Sequence, residues 1–313
     1  MAASSPRGFL SVIESLAHGE QPAFSQLTAL SDLSRAEAAE FAARWPAVRL
    51  KDRLSLVARL AELADDNVDL DFAPVMKVVL DDVEPAARTL AASSLWEATD
   101  RGSARKLLSL LMNDSDDGVR AAAAGSLRQF VLLREFDSFE PDLGDEVVDT
   151  LRQVAEDRGS DCAVRAAALE ALGPRSLPWV DPLIMECYYD DDRELKIAAL
   201  RAMGGSAQDH WLEYLVGELQ SDDPEFRYEA ATACGLIASE DAVEPVAERL
   251  DDDDAEVAIA AVMALGEIGG PIAAEHLRSF RARAPEALEE VIAEALEMAA
   301  SGGLGGEKDE EEW

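Results

Sequence analysis

Lysine is scarce in this chain, which has five in 313 residues: Lys51, Lys77, Lys106, Lys196 and Lys308. With 28 basic residues against 64 acidic ones, the formal charge is −36. Affinity for nucleic acid grows with the number of Lys and Arg groups that displace phosphate counterions. A chain with this balance is therefore not expected to bind nucleic acid. Cysteine is as sparse: Cys162, Cys187 and Cys234 are odd in number, far apart and without a CxxC spacing, which excludes a disulfide framework and a zinc knuckle. Only three histidines occur, His18, His210 and His276. No run of about 18 apolar residues is found, and the first 21 residues lack the apolar centre of a signal peptide. The expectation is a cytoplasmic protein that does not enter a membrane. Acid in such excess suits concentrated salt, where the screening length falls to about 3 Å and a carboxylate-covered surface stays hydrated, so a halophilic source is expected.

What is abundant is repetition. Gly173, Gly204, Gly235 and Gly266 stand 31 residues apart. Each closes a gapless segment: DCAVRAAALEALG (161–173), DRELKIAALRAMG (192–204), DPEFRYEAATACG (223–235) and DAEVAIAAVMALG (254–266). Residues 116–128 and 83–96 fit the same register, and 51–60 fit it loosely. One position is occupied in turn by Arg53, Arg88, Arg120, Arg165, Lys196, Arg227 and then Ala258. In one segment Val164, Ala167, Ala168, Ala171 and Leu172 recur at i, i+3, i+4, i+7 and i+8, the spacing of a single buried helical face. The Asp that opens each segment reads as an N-cap, and the Gly that closes it as a left-handed C-cap. The stretches between, such as SARKLLSLLMND and HWLEYLVGELQSD, also carry helical spacing, so each unit is a pair of helices. Pro74, Pro182 and Pro245 fall 14, 14 and 13 residues before Arg88, Lys196 and Ala258, a place suited to a first turn or a kink.

This two-helix unit, with its acidic turn, its Asp-x-x-x-Arg step and its AAxALG second helix, resembles the short HEAT repeats first associated with phycobilin lyases. The resemblance covers about residues 50–300. It implies an all-α fold, a right-handed α-α superhelix of the ARM/HEAT solenoid type with about seven helical hairpins, second helices lining the concave side. Residues 1–49 read as an N-terminal helical cap, 50–300 as the array and 301–313 as a disordered acidic tail. The step from Arg120 to Arg165 is 45 residues, so about 133–145 reads as an insertion emerging as a loop, with Phe136 and Phe139 as its anchors or as part of a binding patch.

Four acid–base pairs at i,i+4 stand out: Asp116/Arg120, Asp161/Arg165, Asp192/Lys196 and Asp223/Arg227. Such spacing places partners on one face, each isolated pair being worth about 0.2–0.5 kcal/mol. The resemblance implies that these residues form a structural ladder between units; the other reading is a basic stripe for an acidic ligand. Deoxyhypusine hydroxylases, which hold two irons in a HEAT scaffold, place His-Glu pairs just after the repeat's basic residue. Here those positions read Tyr228-Glu229, Ala166-Ala167, Ile197-Ala198 and Ala121-Ala122, so the imidazole donors of such a site are missing. Tyr188, Tyr189, Trp179 and Trp211 read as core more readily than as the lining of a pigment site. DDDD at 251–254 lacks the alternating ligands and Gly of a calcium loop.

No catalytic, cofactor or metal residues are thus expected. The leading reading is a non-enzymatic scaffold or adaptor, a monomer, that holds an unidentified protein partner on its concave surface. Glu170, Arg201, Glu229, Phe136, Phe139 and the terminal Trp313 are the candidate contacts. A lyase-like enzyme or assembly factor acting on a cofactor-bearing protein is the alternative, and a nucleic-acid-associated role comes third.

Overall fold

Apolar stripes at helical spacing, separated by acidic turns, produce helices throughout. In the computed structural model, which describes residues 8–67 and 69–304, no strand occurs among the described residues. The chain divides into two compact units, Met1–Ala171 and Leu172–Trp313.

The first unit holds α1 (Gly8–Ala17), α2 (Phe24–Leu27), α3 (Arg35–Arg44), α4 (Leu50–Asp66), α5 (Ala73–Val79), α6 (Pro85–Ser93), α7 (Arg101–Asn113), α8 (Asp117–Glu135), α9 (Pro141–Glu156) and α10 (Cys162–Leu172), the last ending at the boundary. Its N-terminal helices are off the repeat register yet fully engaged: Phe9, Ile13, Leu16, Leu27, Leu30, Phe41 and Trp45 are buried. Phe41 stacks on Trp45 with ring centroids 5.3 Å apart. Beyond them, α4 packs on α6 and α6 on α8, while α7 closes a hairpin with α8.

The second unit holds α11 (Val180–Tyr188), α12 (Arg193–Gly205), α13 (Leu212–Glu218), α14 (Pro224–Ile237), α15 (Val243–Ala247), α16 (Ala255–Ile268), α17 (Gly270–Arg281) and α18 (Glu289–Ala300). Here α11/α12, α13/α14, α15/α16 and α17/α18 are hairpins, and the second helices form a row, α12 on α14 on α16 on α18. Pro74, Pro182 and Pro245 lie in the first turns of α5, α11 and α15, where the missing N–H would have no helical acceptor.

Two sequence expectations are corrected. Gly204, Gly235 and Gly266 are not left-handed caps; they lie inside α12, α14 and α16. A Cβ on Gly204 would stand 2.8 Å from Ala233 Cα, one on Gly235 2.9 Å from Ala264 Cα, and one on Gly266 2.9 Å from Ala295 Cα. The 31-residue glycine is therefore a contact point that lets each second helix approach the next. The left-handed residue that ends α14 is Ala238, with φ of 55°. The second correction concerns 133–145. The extra residues lengthen α8 to 19 residues and α9 to 16, leaving only 136–140 as a connection where a long loop was expected.

Candidate functional site

The repeated charges come first, because they lie at the turns that join the hairpins. Asp116, Asp161, Asp192 and Asp223 were expected to pair with the base four residues on. Each instead accepts from a backbone amide at the start of its own helix: Asp116 from Val119 at 3.1 Å, Asp161 from Ala163 at 3.0 Å, Asp192 from Glu194 at 2.9 Å and Asp223 from Glu225 at 3.0 Å. They close helix N-termini, a role worth about 1 kcal/mol each.

The bases reach a different acid, the Asp six residues before the base of the following repeat. Arg53 donates to both oxygens of Asp82 at 2.7 Å, Arg88 forks onto Asp114 at 2.7 and 2.8 Å, and Arg227 onto Asp252 at 2.6 and 2.9 Å. Each guanidinium also holds its own hairpin through carbonyls, as Arg88 does on Asp82 O at 2.8 Å and Arg227 on Ser221 O at 3.0 Å. One side chain thus ties two successive hairpins, which a planar five-donor fork can do and a point charge cannot.

Burial pushes the Asp114 carboxyl up, but the Arg88 guanidinium and the Asp116 amide outweigh it and hold the group below the ordinary aspartate range. The same balance, burial against Arg227 and the Asp254 amide, lowers Asp252. At Asp82 burial is opposed by the Glu84 amide, Arg53 and the Trp45 indole, whose Nε1 donates at 2.6 Å.

Where the acid is missing from that position, the link is rerouted. Gly159 stands there after Arg120, so Arg120 donates to Ser160 Oγ at 3.4 Å, and that hydroxyl donates to Asp157 at 2.9 Å; Arg120 also pairs with Asp117 and with Leu111 O. Ser221 stands there after Lys196, so Lys196 takes Glu218 of α13 at 2.8 Å, under the rings of Phe226 and Tyr188. Tyr188 donates to the same carboxylate at 2.7 Å, and burial followed by this bond raises the phenol's pKa. Arg165 is buried and donates to Ala155 O at 3.2 Å. All of these groups hold turns together. The basic stripe for an acidic ligand is thereby filled from within.

A second surface remains, the outer face of α12, α14 and α16. Because the repeat is 31 residues, equivalent side chains line up in rows: Glu194, Glu225 and Glu256 in one, Ile197, Tyr228 and Ile259 in the next. A groove of about 400 Å³ runs here, lined among others by Arg201, Glu225, Tyr228, Asp254, Glu256 and Val257. Tyr228 is 37% exposed. Arg201 and Glu229, both expected as exposed contacts, meet each other at 2.5 Å, and Glu229 is buried, so only Arg201 faces solvent. Arg193 spans from Asp223 at 2.9 Å to Glu225 at 2.5 Å, so a guanidinium already sits on the glutamate row.

The other candidates are scattered. Glu170 is half-buried on α10. Phe139 turns inward onto Phe130 with centroids 5.1 Å apart, whereas Phe136 is 72% exposed and anchors nothing. Trp313 lies outside the described residues. The histidines are apart: His18 contacts Glu14 O, His210 faces Asp181 at 3.3 Å and His276 faces Glu244 at 3.1 Å. Asp252 and Asp253 of the DDDD run hold Arg227, and Asp254 caps α16. Cys234 is fully buried and its thiol is pushed up to about 12, far from a thiolate at neutral pH.

Sequence reasoning found the bases and missed their partners. The signal was present: the ladder acid stands two residues before the N-cap acid, as Asp-x-Asp at 114/116 and 252/254. No helix among the described residues is long and apolar enough to cross a membrane.

Residues 209–297 match the family model described as HEAT repeats. No curated protein sequence matches the chain. Among solved structures, the complex of CpcE and CpcF of phycocyanin lyase from Nostoc is 19% identical, with 91% of this chain and 96% of that one covered and a TM-score of 0.51. YibA of E. coli is 17% identical over 96% and 98%, with a TM-score of 0.46, and human deoxyhypusine hydroxylase 18% identical over 95% and 99%, with a TM-score of 0.36. The match to the family model makes residues 209–297 HEAT repeats, and the row of helical hairpins shares its all-α fold with the phycocyanin lyase structure.

Proposed function

We propose that the protein is a non-enzymatic scaffold or adaptor whose second helices, α12, α14 and α16, hold another protein. The observation that carries this reading is the register of the outer face: side chains 31 residues apart repeat Glu-x-x-apolar on successive helices, with the three glutamates, Tyr228 and Ile259 exposed or half-exposed and Ile197 buried. Stacked repeats that present equivalent positions side by side form an extended surface suited to an extended partner. The remaining charged groups of the repeat, the ladder, are engaged in holding turns.

The test is a photocrosslinker placed at position 228, in the groove, and in parallel at 189, a more accessible site on the first-helix side where Tyr189 is 70% exposed. Irradiation in native lysate at high salt should give a discrete protein adduct from position 228 alone. Adducts from 189 alone, or from neither, would remove the scaffold reading of this face. A chromophore carried by the purified protein would favour the lyase-like alternative instead.

A further inference from the structure

We infer that the face of α12, α14 and α16 recognises an extended segment of a partner protein with a basic residue at every third position. This rests on the scaffold reading and deepens it. Three observations on one surface lead to it. Glu194, Glu225 and Glu256 occupy the same place on three consecutive second helices, so they form a row across the helices. Beside that row stand Tyr228, 37% exposed, and half-buried Ile259, while Ile197 at the same register is buried beneath the surface. Finally, Arg193 bridges Asp223 and Glu225 with its guanidinium 5.5 Å from the Phe226 ring, an intramolecular example of the cation this surface takes.

The spacing sets the ligand. Packed helices stand about 8–10 Å apart, so three glutamates span about 16–20 Å. A polyproline II chain advances about 3.1 Å per residue and returns a side chain to the same side every three residues, so six residues cover about 19 Å. Basic side chains three residues apart then meet successive carboxylates, while intervening residues lie over Tyr228 and Ile259. Charge complementarity selects a protein segment here over a polyanion, because the chain carries −36 and the groove presents Glu225, Asp254 and Glu256, while Arg201 is paired with buried Glu229. The equivalent positions on α6 and α8 are Ala86 and Gly118 in place of Glu and Thr89 and Ala121 in place of the apolar row, so the first unit offers no such row.

The probe is a fluorescent nonapeptide, Lys-Val-Thr three times over, compared with a permuted peptide that has its three lysines contiguous. Anisotropy titrations of the full chain at fixed ionic strength should show the periodic peptide binding about fivefold more tightly. Glu194→Gln with Glu256→Gln should weaken it about fivefold, the effect of losing two exposed ion pairs, and Tyr228→Ala should also weaken it. Asp209→Asn with Glu213→Gln, an equal loss of charge on the first-helix side, should leave it unchanged. Equal binding of both peptides, or equal loss with both double variants, would mean diffuse attraction to an acidic surface and would overturn the proposal. A protein adduct at position 228 without periodic-peptide binding would sink this inference and leave the scaffold standing; neither result would sink both.

Discussion

The two units solve the same packing problem differently. In the second, each second helix meets the next through Gly against Ala: Gly204 on Ala233, Gly235 on Ala264, Gly266 on Ala295. In the first, the glycine position is taken by Trp96 and Arg128, both exposed. The alanine position opposite holds Ser126, whose hydroxyl donates at 2.7 Å to Ala92 O of α6. One unit thus joins its helices by close backbone approach, the other by a buried hydrogen bond, and what the units share is the guanidinium link. Close approach is unforgiving, since interiors packed to crystal density tolerate little added volume.

The largest expected effect tests what is shared. Arg88→Ala and Arg227→Ala each leave a buried carboxylate, Asp114 or Asp252, without its cation. Each should cost about 3 kcal/mol in urea unfolding followed by circular dichroism, with the loss similar in the two units. A loss below about 1 kcal/mol at either would show that the link is ornamental there.

Next come the glycines. Gly204→Ala and Gly235→Ala should each destabilise by about 1–2 kcal/mol, because overpacking of about 1–3 kcal/mol outweighs the helix-propensity gain of about 1. Arg128→Ala at the same register in α8 should change stability by no more than about 0.5 kcal/mol. Equal responses in the two units would erase the contrast.

Acid should weaken both. Asp82, Asp114 and Asp252 have folded values below the ordinary one. Their contribution is therefore complete above the unfolded value near 3.9 and lost as pH falls through the lower folded value. Thermal unfolding should drop between about pH 4 and pH 2, less steeply in Arg227→Ala.

Glu267 gives an opposite and smaller effect. Its carboxylate lies over Gly235, in a register place held by Leu236 and Met298 in the neighbouring repeats, and burial raises its pKa. Ionisation thus costs stability as pH rises above about 4.3. Glu267→Met should stabilise the second unit at neutral pH by about 1 kcal/mol, an advantage that shrinks in acid. Smallest of all, Ala238→Gly should relieve the left-handed backbone at the end of α14 and gain under about 1 kcal/mol.

These contrasts also show which features were legible. Helices, their pairing and the N-cap aspartates could be read because their causes are local, a 3.6-residue stripe or an amide three residues away. The ladder bases were legible by recurrence, yet Asp82, Asp114 and Asp252 were assigned no role, because their partners sit 25–29 residues upstream and the nearer Asp offered itself first. Glycine's purpose depended on an alanine 29 residues later. The extra residues of 133–145 looked like a loop only because register was broken; the apolar spacing of Leu127, Phe130 and Val131 continues the helix. Of the candidate face, Arg201 was found by its place on a second helix, while Tyr228 was set aside as the occupant of a missing metal ligand's position.

The guanidinium link has a bearing on how such a chain can grow. Where the link is direct, as at Arg53–Asp82, Arg88–Asp114 and Arg227–Asp252, a hairpin gives one base to its successor, which supplies the acid, so a hairpin of this kind copied or excised whole leaves neither an orphan cation nor an orphan anion at the seam. The run ends cleanly as well: Ala258 replaces the base of α16, and the next turn, 282–285, contains no acid to receive one. Length, on this plan, is free to vary by whole hairpins without any new invention at the joints.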